Sequence, residues 1–231
     1  VARHVQKCWA SLFTARAIFY RQENKFSHLK VGIAVPVQLM CQSDTSGIMF
    51  TVNPVTNNRD EISVEGAYGL GQPVVSGEVT PDQYTVDKKS WKILSKSIVS
   101  QDWQLTMDGN TPISTKYKKK QKLTDKQIID LAKIGAMIEE HYGKPQDIEY
   151  GIEKGRILIV QSRPVTTLEQ KVQNVVVDEG KGSKVILDGL AASPGVFAGK
   201  VQIIKSPKEI GKVKEGDILV ADMTNPDYVP A

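Results

Sequence analysis

Two periodicities divide the chain. Val5, Cys8, Trp9, Leu12, Phe13 and Ala17 recur three to four positions apart, which predicts one helix over residues 1 to about 25 with this set as its buried stripe. Short β-like segments follow: "VGIAVPVQLM", "SGIMFTVNP", "EISVEGAYG" and "DQYTVDKKSWKILSKSIV", separated by the turn-formers "NPVTNNRD" and "GLGQPVVSG". The helical period returns in "LTDKQIIDLAKIGAMIEEHYGK", with Thr124 as predicted N-cap and Gly143 as the stop. The pattern as a whole predicts an α+β protein, strand-rich with packed helices.

After that helix, "QDIEYGIEKGRILIVQSRP" (residues 146–164) carries apolar residues in alternation between two polar pairs. Ile148, Tyr150, Ile152, Leu158 and Val160 occupy even positions, while Asp147, Glu149, Gln161 and Arg163 occupy odd ones. Strand side chains alternate between faces, so each set is expected on one side. A three-residue loop, Glu153-Lys154-Gly155, pairs Ile152 with Arg156, sets Asp147 opposite Gln161 and leaves Glu149 diagonal to it. The polar side reads in two ways. It is an ordinary solvated face with an Arg–carboxylate pair, or it is a site for a metal bound to a polyphosphate. Carboxylate and amide oxygens are hard ligands suited to Mg²⁺, and Arg offers a forked, permanently charged donor for phosphate. Spacing alone leaves both readings open.

From about Glu169 to Val185 the chain turns polar and rich in Gly and Lys, as a linker does, and a second strand-rich unit begins at residue 186. The expected division is therefore 1–168, linker 169–185, and an unfinished unit 186–231. The start lacks an initiator Met and both ends read as cut, so the chain is expected to be a fragment of a longer one.

With 40% apolar and 24% charged residues, the composition is that of an ordinary globular protein. No apolar run reaches the roughly 20 residues of a membrane-spanning helix. Cys8 and Cys41 are expected as reduced thiols in a cytoplasmic protein. Much of the +4 net charge comes from "KYKKKQK" (residues 116–122). With a single aromatic and no adjoining recognition motif, this run is expected to be a solvated loop and not a nucleic-acid site.

Taken in order, "CWASLFTARAIFYR", "VPVQLM", "SGIMFTVNP", "GLG…VVSG…TPDQY", the hairpin, "ASPGVFAGKV" and "GDILVADMTNPDYVPA" resemble the phosphoenolpyruvate synthase branch of the pyruvate phosphate dikinase family along essentially the whole chain. The resemblance implies the C-terminal half of an ATP-grasp domain, an antiparallel sheet with packed helices. It is followed by the start of a β-rich swivelling phosphohistidine domain. It further implies that Mg²⁺ and ATP meet the hairpin, with Glu149 and Gln161 toward metal and phosphate, Arg163 toward phosphate and Asp147 as a supporting acid. Gln38, in "VPVQLM", matches a position lining the nucleotide pocket. Family members phosphorylate a histidine from ATP and then convert pyruvate to phosphoenolpyruvate on a barrel domain, with a homo-oligomer possible for the full-length enzyme.

Some features depart from the family pattern or fall outside it. The acid usual after "GLG" is replaced by Gln72. The Gly-rich "GAYGLGQPVVSG" is read as tight turns or as a phosphate-facing backbone. "ASPG" reads as a structural turn opening the second unit. The acceptor histidine belongs to a Thr-x-His motif expected beyond Ala231, so His4, His28 and His141 are not candidates, and this chain alone is expected to be inactive. Too few residues separate Arg163 from "ASPG" for the antibiotic-binding domain of a rifampicin phosphotransferase, and the connection of a pyruvate phosphate dikinase is also longer. A non-catalytic nucleotide-binding module is the alternative from another class.

Overall fold

A computed structural model describes residues 1–165, 186–187, 196–221 and 228. The predicted linker, "ASPG" and most of the last ten residues lie outside them. The described chain forms two units, residues 41–197 and residues 1–40 with 198–231, each taken by itself below.

In the unit holding both ends, the single predicted helix is two: α1 (Ala2–Ser11) and α2 (Ala15–Glu23). The break has a local cause. Thr14 takes an extended backbone and caps α2 by accepting from Ala17 N, while Arg21 reaches back to donate from Nη2 to the Leu12 carbonyl at 2.5 Å. The expected stripe is not buried, since Trp9 and Phe13 are more than half exposed and α1 buries nothing. Spacing sets which side chains share a face, but not whether another element covers it. Residues 31–40, expected as a strand, have neither helix nor strand, and Gln38 there is exposed.

The 41–197 unit is built on an antiparallel sheet. Its first four strands are β1 (Thr45–Phe50), β2 (Glu61–Tyr68), β3 (Asp82–Asp87) and β4 (Ile93–Ser97). The single segment expected over "DQYTVDKKSWKILSKSIV" is the β3–β4 hairpin. It turns at Trp91, whose positive φ of 55° is uncommon for a large side chain. Between β2 and β3 lies the one-turn helix α3 (Gln72–Val75). A small hairpin, β5 (Trp103–Thr106) with β6 (Gly109–Pro112), and a helical turn α4 (Thr115–Lys118) follow β4.

The predicted second helix is α5 (Asp125–Tyr142). Thr124 and Gln127 form a reciprocal capping box at its start, and Gly143 ends it in the left-handed conformation. β7 (Gln146–Glu153) and β8 (Arg156–Pro164) complete a six-stranded sheet in the order β4-β3-β2-β1-β7-β8. Helix α5 lays Ile128, Leu131 and Ala132 on one face of it, against Met49, Ile62, Val64, Tyr84, Val86, Ile148, Tyr150 and Ile152. The helix comes close at Gly135, where a Cβ would stand 2.8 Å from the Met49 sulfur. With one face closed by α5, the alternate residues of every strand point to the other face.

In the unit holding both ends, β9 (Val201–Ile203) pairs in parallel with β10 (Ile218–Val220), with a 3-10 helix, Pro207–Lys212, between them.

Candidate functional site

The hairpin of β7 and β8 has a different register from the expected one. Its loop is two residues long, Lys154 and Gly155, both with positive φ, so Glu153 pairs with Arg156 and Ile152 with Ile157. An irregularity beside Tyr150 then leaves Val160 unpaired as a bulge. Beyond it Glu149 stands opposite Gln161, and Asp147 opposite Arg163. The turn was expected one residue too long and the bulge was not foreseen. The core-facing residue of β8 near the turn is consequently Ile157, and Leu158 faces Gly151. All four polar residues still share one face, because directly opposed residues do so.

The same face continues across the sheet. Strand pairing aligns Ile48 with Glu149 and Phe50 with Asp147, and on the far side Gln83 with Glu65 and Thr85 with Ser63. Glu65, Glu149 and Gln161 thus stand in one cross-strand row with Ile48 between the two acids. At ~4.8 Å per strand, Glu65 and Glu149 emerge roughly 10 Å apart. Sequence reasoning missed Glu65. The clue was its place in the alternation of "EISVEGAYG", where Ile62 and Val64 are the core residues.

Both acids of the row have raised carboxyl pKa values. Burial, and secondarily Asp147, raises the carboxyl pKa of Glu149, while Arg163 opposes the shift. Burial also raises Glu65, against a hydrogen bond that Gln83 Nε2 donates to its Oε1 at 3.3 Å; Asp147 adds repulsion. Arg163 donates from Nε to Asp147 Oδ2 at 2.8 Å, and its Nη2 lies 2.7 Å from the same oxygen. The Arg163 side chain is 67% exposed and that of Asp147 12%. Among the described residues no three acids, histidines or cysteines gather into a ready-made metal cage. An Mg²⁺ ion needs no such cage, since it takes one or two carboxylates and completes its shell with phosphate and water. The donor set of Glu149, Gln161, Asp147 and Glu65 fits that habit.

The surrounding loops are held from below. Gln101 brackets Tyr68, accepting from its N–H at 2.9 Å and donating to its carbonyl at 3.1 Å. Leu70 N–H donates to Leu105 O at 2.8 Å, and Ser46 Oγ donates to Gly69 O at 2.6 Å. Gly69 and Gly77 have φ of 84° and 74°, so these two glycines of "GAYGLGQPVVSG" serve tight turns. Gln72 is exposed at the start of α3.

The lysine run is not a solvated loop throughout. Lys122 is fully buried and pairs with Asp82, itself fully buried, at 2.7 Å. Asp82 also accepts from Tyr84 Oη and from the N–H groups of Val99 and Lys122. Lys118 pairs with Asp102, and Lys116 and Lys120 lie over the Tyr117 ring. Cys8 and Cys41 are free thiols, and His141 rests edge-on against Tyr142. Among the described residues no helix is long and apolar enough to cross a membrane.

Residues 1–183 match the family described as pyruvate phosphate dikinase, AMP/ATP-binding domain. The chain belongs to this family. It is 50% identical to the phosphoenolpyruvate synthase of Pyrococcus furiosus, over 98% of this chain and 29% of that protein. With the probable phosphoenolpyruvate synthase of Methanocaldococcus jannaschii it shares 48% identity over 100% of this chain and 20% of that protein. With the phosphoenolpyruvate synthase of Aquifex aeolicus it shares 39% identity over 98% of this chain and 30% of that protein. The chain therefore spans under a third of the length of these relatives. Asp147, Glu149, Gln161 and Arg163 are brought together on the β7–β8 hairpin. Gln38 belongs to the other unit.

Proposed function

We propose that the open face of the β1–β2–β7–β8 sheet binds Mg-ATP as the C-terminal half of an ATP-grasp domain, and that the full-length protein is a phosphoenolpyruvate synthase. The observation that carries this reading is the pairing of Glu149 with Gln161 beside Asp147 with Arg163, on the one sheet face that α5 leaves open. Family membership and relatives up to 51% identical that are named as phosphoenolpyruvate synthases support the reaction class: ATP, pyruvate and water give AMP, phosphoenolpyruvate and phosphate.

Glu149 and Gln161 would hold the magnesium, with Asp147 and Glu65 within the same acid field. When bound, the metal supplies charge neutralisation at the phosphates. Phosphoryl transfer asks chiefly for positioning and charge balance. Arg163, oriented by Asp147, directs its free guanidinium donors at a phosphate. Ile48 and Phe50 provide an apolar floor between the acids, which strengthens every charge interaction above it. Gln38 is assigned to the nucleotide on the family resemblance and not on the geometry of the hairpin. Residues 186–231 open the swivelling phosphohistidine domain in this reading. The acceptor histidine and the pyruvate-binding barrel belong to the rest of a cytoplasmic enzyme, for which a homo-oligomer is possible.

The test is calorimetric titration of ATP into the full-length protein with and without Mg²⁺. Saturable binding that requires Mg²⁺ and is lost in Glu149→Ala supports the reading, while binding indifferent to both overturns it.

A further inference from the structure

The β1–β2 ladder is interrupted at one place. Thr45 pairs with Tyr68 and Ser46 with Ala67, and regular pairing resumes at Met49 with Val64 and Phe50 with Ser63. The positions between, Gly47 against Gly66 and Ile48 against Glu65, are outside the ladder although the register does not shift. There the Glu65 carbonyl accepts a 2.6 Å hydrogen bond from Tyr150 Oη, a side chain that starts on β7 and crosses beneath β1. Two glycines make the passage. A Cβ at position 47 would stand 1.8 Å from the Glu65 carbonyl oxygen and 2.8 Å from Tyr150 Oη, and one at position 66 would stand 3.3 Å from Tyr150 Oη.

A phenylalanine at 150 with an unbroken ladder would bury the same ring and satisfy the same backbone groups. The sheet instead exchanges ladder pairing for one hydroxyl, and does so at the residue whose carboxylate joins the acid row. The Tyr150 ring lies on the core face and the Glu65 carboxylate on the opposite face, so a bond to the carbonyl fixes the peptide from which that carboxylate projects. Tyr150 is also the neighbour in sequence of Glu149, so a single buried residue ties both acid-bearing strands together.

We propose that Tyr150 is a positioning residue of the Mg-ATP site: its hydroxyl, through the Glu65 carbonyl, sets the Glu65 carboxylate in line with Glu149. This rests on the Mg-ATP reading of the open face. Tyr150 touches neither metal nor nucleotide, and it acts only through Glu65.

The experiment uses the full-length enzyme and follows the Mg²⁺ concentration that half-saturates ATP-dependent histidine phosphorylation. Tyr150→Phe is expected to raise this midpoint roughly fivefold, the scale of one lost hydrogen bond. Glu65→Gln is expected to raise it at least as much, and the double variant no further than Glu65→Gln alone. An unchanged midpoint in Tyr150→Phe, or an increment of the same size with and without Glu65, overturns the proposal, because a merely structural role lowers the melting temperature without that dependence. If Tyr150→Phe does not fold, a difluorinated tyrosine at position 150 keeps the ring and donates more strongly. It is expected to lower the midpoint, and no shift overturns the proposal. Glu149→Ala separates the two failures. If it abolishes phosphorylation while the Tyr150 variants change nothing, only the positioning role falls. If it changes nothing, the Mg-ATP reading falls and the positioning role with it.

Discussion

Arg163 lies directly opposite Asp147, and two of its nitrogens meet one oxygen of that carboxylate, at 2.7 and 2.8 Å. The guanidinium is largely exposed, so the pair adds only about 0–1 kcal/mol to stability. Its consequence is orientation, because two contacts to one oxygen fix the guanidinium beside Asp147.

Arg163→Lys separates charge from geometry. Lysine keeps the positive charge but loses the planar fork. The melting temperature is expected to stay within about 2 °C of the parent, consistent with a pair of this size. ATP affinity, measured by calorimetry on the full-length enzyme, is expected to fall at least about tenfold, the scale of a charge-assisted hydrogen bond. Unchanged affinity would remove Arg163 from the phosphate site.

Glu65 carries a cost in the apo protein. Burial raises its pKa above the usual carboxylate value, so its contribution to stability is greatest below the unfolded pKa and is lost as pH rises through the folded one. Ionising Glu65 in the apo protein therefore costs stability. Glu65→Gln is expected to raise the apo melting temperature at pH 7 while weakening Mg-ATP binding, and to give a smaller melting gain at pH 4. A lower melting temperature at pH 7 would contradict the desolvation account.

Glu149 has the same sign of shift, again with burial as the main cause. A cation requires the ionised carboxylate, so Mg-ATP affinity is expected to decline as pH falls from 7 through the raised pKa, with proton release on binding. Calorimetry in buffers of different ionisation enthalpy measures that release. Glu149→Gln should remove part of it, and identical release in parent and variant would contradict the assignment.

Lys122 and Asp82 form a fully buried pair. Lys122→Met leaves the Asp82 carboxylate buried without its cation and is expected to destabilise the fold by about 3–5 kcal/mol, measured by urea unfolding. Pairing it with Asp82→Asn should recover much of the loss, since no lone charge then remains. A loss below about 1 kcal/mol in the single variant would mean that water or relaxation reaches the site.

How much of this was legible in the sequence follows from the range of each interaction. The α5 cap and stop were readable because Thr124, Gln127 and Gly143 act on neighbouring residues. The polar face of the hairpin was readable from alternation, yet its register was not. The choice between a two- and a three-residue loop, and the bulge at Val160, depend on pairing with β1 and on which of Ile157 and Leu158 enters the core. Lys122 was read as solvated because its partner, Asp82, is 40 positions away. Glu65 escaped notice because only the folded sheet sets it in a row with Glu149. The α1 stripe failed in the opposite sense: its spacing is real, but Trp9 and Phe13 are exposed.

The central claim is that the β7–β8 face serves phosphoryl transfer from Mg-ATP, and the most direct test is labelling of the acceptor histidine in the full-length enzyme by radiolabelled ATP. Glu149→Ala is expected to fold with a normal circular dichroism spectrum and to lose at least about a hundredfold in labelling rate, the scale on which removing one electrostatic stabiliser acts. Labelling at the parent rate by a folded Glu149→Ala enzyme would contradict the account.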